Sequence, residues 1–182
     1  IKYPLYIKMT SACSQRGVKN VKIITKDVEE KEKENHWSKN IVWGASLNMN
    51  IISNNYVVSS SNLTSYNSYI KSITSIERDD LNWQGIKFQP TKSYNDSSAS
   101  DPNRIYIRVT LGNLDFIGTT EFNLQLTYPF YIRSNDSSNN PIEIQGNYGS
   151  DTYLKKIDIV YTEYDTFQIM VKGEQIKYII NG

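Results

Sequence analysis

Cysteine and histidine are almost absent: the 182 residues hold one of each, Cys13 and His36. A lone cysteine cannot close an internal disulfide, and by itself it cannot build a thiolate zinc centre. A lone histidine excludes a multi-histidine metal site. Charge of one sign is lacking too. Twenty Lys and Arg stand against 19 Asp and Glu, giving a formal net charge of +1. No strongly basic field therefore invites nucleic acid, which is not expected as a partner. No apolar run approaches the roughly 18–20 residues that a helical membrane span requires. Phosphate loops, dinucleotide fingerprints and paired-histidine zinc motifs are also missing. No cofactor, no metal and no catalytic residue is expected on these grounds.

What the chain does contain is tyrosine, 14 of them, with three tryptophans and abundant Asn, Ser and Ile. At this length one domain over residues 1–182 is the natural reading. The chain opens without Met, so a processed chain or an excised domain is expected. Secretion or display on a particle suits the polar-aromatic composition. Three acceptor sequons, at Asn62, Asn95 and Asn135, sit in turn-like contexts where glycosylation is tolerated.

The dominant pattern is period-two alternation. Ile105, Ile107, Val109 and Leu111 share one face, while Tyr106, Arg108 and Thr110 share the other. Phe122, Leu124, Leu126 and Tyr128 repeat the pattern. So do Ile157, Ile159 and Tyr161, then Phe167, Ile169 and Val171, then Ile176, Tyr178 and Ile180. Such spacing marks strands with one buried face. Weaker strands are expected at 3–9, 19–26, 40–52, 55–60, 84–89 and 141–145. Lys172-Gly173-Glu174 reads as a hairpin turn, because glycine supplies the positive φ that tight turns need. Tyr66, Tyr69, Ile70, Ile73 and Ile76 fit helical spacing, but their β-branched company fits a strand equally well. Residues 26–34 form a mixed-charge run, read as a solvated connection. The expectation is an all-β fold: an antiparallel β-sandwich of roughly 8–12 strands, jelly-roll-like in arrangement.

The stretch from Asp165 to Ile176 is similar to a hairpin near the end of galectin-like and related concanavalin-type sandwiches, where alternating hydrophobics run into a short glycine turn. The resemblance covers about a tenth of the chain and implies a sandwich of lectin architecture. The galectin sugar motif, a His-Asn-Arg series followed by Trp-Gly-Glu, has no counterpart.

Sugar recognition needs a flat aromatic face with nearby groups that orient hydroxyls. Asp79-Asp80-Leu81-Asn82-Trp83 supplies both, so Trp83, Asn82 and Asp80 are candidate ligand-binding residues, joined by Trp37 beside His36. Trp83 and Trp37 are expected to be more exposed than Trp43, which sits in an apolar strand and reads as core; for Trp83 a place in the core is an equal alternative to a binding role. Cys13 and His36 could pair as nucleophile and base, yet Ser11-Ala12-Cys13-Ser14 lacks a glycine elbow, and an incidental thiol is the better reading. Glu121, Asp158 and Glu163 could supply the two carboxylates of a glycosidase. Three functions follow as expectations. The first is a non-catalytic surface module that binds a glycan or cell-surface protein. The second is a subunit of a filament, pilus or coat, assembled through terminal strands. The third is a carbohydrate-active enzyme.

Overall fold

The structure, a computed structural model, describes residues 2–9, 16–27, 29, 41–59, 68–77, 79–95, 106–112, 127–133, 141–148 and 151–182. Thirteen strands run through them: β1 Lys2–Met9, β2 Gly17–Lys26, β3 Trp43–Leu47, β4 Met49–Ser53, β5 Tyr56–Ser59, β6 Ser68–Glu77 and β7 Trp83–Pro90; then β8 Tyr106–Gly112, β9 Thr127–Arg133, β10 Ile142–Tyr148, β11 Asp151–Ile157, β12 Phe167–Lys172 and β13 Gln175–Ile180. They form two antiparallel sheets. One is seven-stranded in the order β11-β10-β9-β8-β1-β6-β3, and the other six-stranded in the order β13-β12-β7-β2-β5-β4. The expected β-sandwich is what the chain forms.

The alternation explains the sandwich. Ile107, Val109 and Leu111 of β8 are all buried, as are Leu5 and Ile7 of β1 and Ile70 and Ile76 of β6. From the second sheet, Ile23, Ile86, Phe88, Phe167, Ile169 and Val171 join them in one core cluster. Each such side chain contributes about 1.5–3 kcal/mol on leaving water. Aromatic rings close one end of the core. Phe88 stacks on Phe167 at 5.7 Å, and Tyr161 meets Phe167 edge-on at 6.1 Å and Tyr94 at 5.9 Å.

Turns follow local chemistry. Gly173 has φ +56° in the two-residue loop between β12 and β13, as expected. The stretch 40–52 is not one strand. Asn48 takes φ +54° and turns the chain from β3 in one sheet to β4 in the other. Asparagine tolerates that left-handed conformation better than most residues. The helical alternative for residues 66–76 gives way to β6, whose position between β1 and β3 supplies ladder bonds on both sides. The strand expected at Ile157–Tyr161 ends at Ile157 instead. Ile159 is exposed, and Tyr161 is buried in the connection that crosses to the other sheet. Most of the strand expected at Glu121–Tyr128, and most of the charged run at 26–34, lie outside the described residues.

The terminal strands differ from each other. β1 is held between β6 and β8, so both of its edges are already paired. It offers no free edge for exchange with another chain. β13 is an outer strand of its sheet.

Candidate functional site

The residues singled out around Trp83 come together, but as a structural device. Asp79 ends the link from β6. Its Oδ1 accepts the backbone N–H groups of Leu81 (2.7 Å) and Asn82 (3.1 Å), and its Oδ2 accepts from Asn82 Nδ2 (3.1 Å) and Gln84 Nε2 (3.4 Å). The Leu81 backbone bond, followed by the Asn82 bonds, holds the Asp79 carboxyl below the usual carboxylate range. The Asp79 carbonyl accepts the Gly173 N–H at 2.9 Å, which pins this turn to the β12–β13 hairpin. Asn82 is thus committed to its own turn. Asp80 is exposed and lies against Gly173.

Trp83 is buried, with 4% of its surface exposed, so of its two expected roles the structure has the packed one, and it is less exposed than Trp43 rather than more. It lies on the outer face of the six-stranded sheet, opposite the core residues Ile86 and Phe88 of the same strand. Ile24 and Met170 pack with it, and Ile179 borders them. Gly85 makes the packing possible. A Cβ there would fall on the Ile169 carbonyl and 2.7 Å from Met170 Sδ. Above the indole stand two ammonium groups, Lys177 Nζ at 4.4 Å and Lys172 Nζ at 4.9 Å from the ring centroid. Both are at cation–π distance. A sugar therefore meets lysines before it meets the ring. Trp43 is only partly buried, and its Nε1 donates to the Asn54 carbonyl at 3.0 Å. The sequence assigned exposure and burial to these two tryptophans in the reverse sense.

Trp37, His36, Cys13, Asn62 and Asn135 lie outside the described residues, as does Glu121. Asn95 is exposed in a turn, accessible as an acceptor. Asp158 is exposed, and Glu163 is paired with Lys19 at 3.2 Å. Among the described residues no group of three His, Cys, Asp or Glu side chains gathers as a metal site requires. No described helix is long and apolar enough to cross a membrane.

The outer face of the seven-stranded sheet holds a different set. Register aligns Lys156 with Glu143, Glu143 with Tyr131, Tyr131 with Arg108, Arg108 with Lys8 and Lys8 with Tyr69. The row thus runs from β11 to β6 across one sheet. Strand alternation assigns it to the outer face, since Ile107, Val109, Ile132, Ile142 and Ile144 fill the core. Tyr106 pairs with Arg133 in a neighbouring row, and Tyr6 with Thr110 and Lys71 in another. Two side chains of this face are deeply buried although they point away from the core: Glu143 at 3% and Thr110 at 0% exposure. Burial also lowers the Lys71 ammonium below the usual lysine range. Glu143 and Thr110 are thus shielded from bulk water, whereas Lys156 at the end of the same row is exposed. Sequence reasoning placed Tyr106, Arg108 and Thr110 on the outward side of their strand. It had no means of finding Tyr131 or Glu143 beside them, because that neighbourhood depends on long-range register.

The chain matches no protein-family model, no curated protein and no solved structure.

Proposed function

We propose that this protein is a non-catalytic recognition module whose ligand is a glycan, bound on the outer face of the seven-stranded sheet. The observation that carries the reading is the row Lys8, Arg108, Tyr131, Glu143 and Lys156. An aromatic position beside a cationic one is equipment that sugar recognition uses: a ring covers the C–H face, while a guanidinium fixes hydroxyls. Glu143 is buried and braces the row from within the sheet. The row contains one carboxylate, and the usual glycoside hydrolysis needs two. That favours binding over cleavage. Strands β1 to β8 cross between the sheets at every step except the β4–β5 hairpin, before the β8–β11 meander, and this supports a jelly-roll of lectin type. Display on a cell or particle surface fits this reading, and the exposed Asn95 is compatible with it.

A glycan array probed with the wild-type chain and with Tyr131→Ala tests the proposal. A glycan bound by the wild type should be lost by the variant, while Lys22→Ala should retain it. An array without any bound glycan would reject the reading. A second reading is assembly through an edge strand. It is favoured by β13, where Gln175–Ile180 pair on one side with β12 and end the sheet. Self-association that a proline at Tyr178 abolishes would support that alternative.

A further inference from the structure

Residues 40–70 contain no Asp, Glu, Lys or Arg, in a chain where those types make up 21%. The stretch holds β3, β4 and β5. Among the described residues, β3 and β4 are the outer strands at one end of the two sheets. Trp43 Nε1 reaches from β3 to the Asn54 carbonyl just beyond β4 at 3.0 Å, so the two edges lie side by side. The uncharged stretch therefore forms one side of the sandwich. At the opposite ends of the sheets, β11 carries Asp151, Lys155 and Lys156, and β13 carries Lys177. Charges of that kind blunt a sheet edge.

This side is apolar as well as uncharged. Nine large hydrophobic side chains are exposed among the described residues, and five of them stand here: Val42, Leu47, Ile51, Ile52 and Ile73, each between 45% and 70% exposed. Ile73 of β6 joins the edge because its N–H donates to the Val42 carbonyl at 2.7 Å. Five such side chains amount to about 300–600 Å² of apolar surface, the size of the largest patch on an ordinary monomer and one that often has a use.

We infer that a second copy of the chain packs on this side, in a two-fold contact between the aliphatic side chains. In a two-fold contact each patch meets itself, so any charge of one sign would face its own copy. A stretch emptied of both signs removes that repulsion. A foreign protein is selected by complementary charge, and none is offered. A lipid surface is met by apolar residues bordered by Lys or Arg, which the stretch lacks. Both edges carry a register irregularity, between Trp43 and Ser46 in β3 and between Ile51 and Ser53 in β4. Such bulges disfavour extension of a ladder into another chain, so the contact rests on side-chain packing. The patch is smaller than the about 800 Å² that each partner of a standard interface contributes, and a Kd of about 10–100 μM is expected. The inference is independent of the glycan face and of the β13 edge.

Sedimentation equilibrium of the whole chain from about 1 μM to about 1 mM, which brackets that Kd, decides it. The mass should rise from one copy to two and stop there. High salt should not reverse the rise, because no charge pair holds the contact. Ile52→Lys sets like charges against each other across the axis and should weaken the dimer about tenfold or more. Ile52 is exposed, so this variant should melt within a few degrees of the wild type. Ile52→Leu should keep the dimer. Folded Tyr178→Pro, on β13, should dimerise within about twofold of the wild type, as should Tyr131→Ala on the glycan face. Neutral phosphatidylcholine vesicles should not carry the chain in flotation. A chain monomeric throughout, a dimer that survives Ile52→Lys, a dimer that salt dissolves or that folded Tyr178→Pro loses, growth past two copies, or flotation with the vesicles would each overturn the inference. Glycan binding lost in Tyr131→Ala bears on the other reading alone.

Discussion

Trp83 separates a sugar platform from a structural residue, and stability distinguishes them. In Trp83→Ala the indole leaves the cluster of Ile24, Met170 and Ile179. A buried tryptophan removes about 150–250 Å² from water, which at about 25 cal/mol/Å² corresponds to about 4–6 kcal/mol. Two cation–π contacts add about 0.5–1 kcal/mol each. Part of this is recovered, because Trp83 lies on an outer face where the stems of Lys172 and Lys177 can settle into the space. The net expectation is a loss of about 3 kcal/mol, the lower end of measured Trp→Ala costs. For a chain of this size, that lowers Tm by about 6–12 °C. Urea unfolding followed by circular dichroism should show a matching fall in midpoint with an unchanged slope. Trp83→Phe should fall between the two. A loss under about 0.5 kcal/mol is the behaviour of an ordinary surface side chain, and it would refute the account of Trp83 as a buried organiser.

Gly85→Ala should destabilise by about 1–3 kcal/mol or more, because its methyl group meets the Ile169 carbonyl and Met170 Sδ. Gly44→Ala meets Ile73 Cγ1 at 2.9 Å, on a side chain 70% exposed that can turn away, and the Lys71 carbonyl at an ordinary 3.5 Å; it should unfold within a few degrees of the wild type in the same thermal melt. Asp79 has a folded-state pKa below its unfolded value, so its stabilisation is present above about pH 4 and is lost as pH falls through the folded value. The stability gap between wild type and Asp79→Asn should therefore shrink in urea titrations run from pH 6 down to pH 2. Deleting residues 1–9 removes a strand paired on both sides and should abolish cooperative unfolding; a folded, cooperative truncation would contradict the interior placement of β1.

The fold was legible wherever apolar residues alternate on a single buried face. β8, β12 and β13 read directly, because Ile107, Val109 and Leu111, or Phe167, Ile169 and Val171, alternate along their strands and fill one core cluster. β6 was ambiguous, since Ile70, Ile73 and Ile76 fit helical spacing while their β-branched company favours a strand; pairing with β1 and β3 decides it, burying Ile70 and Ile76 and leaving Ile73 on the exposed face. Ile159 misled because an apolar residue in a crossing connection looks like one in a strand. Trp83 misled for a different reason. Its polar neighbours suggest exposure, but Asp79 and Asn82 satisfy each other locally, and Gly85 opens room for Met170 beneath the ring's surroundings. The two outer faces were hidden almost entirely. Lys22, Lys87, Lys172 and Lys177 are far apart in the chain, as are Arg108, Tyr131 and Glu143. Only the strand order of each sheet makes neighbours of them.

The central claim is that a glycan sits on the outer face of the seven-stranded sheet. Titrating the 15N-labelled chain with the best glycan from the array, and following amide shifts, tests it most directly. The account predicts saturable changes concentrated at Tyr106–Thr110, Pro129–Arg133 and Glu143–Asn147, all absent in Tyr131→Ala. Saturable changes confined to other strands, with these three segments unmoved, would contradict it.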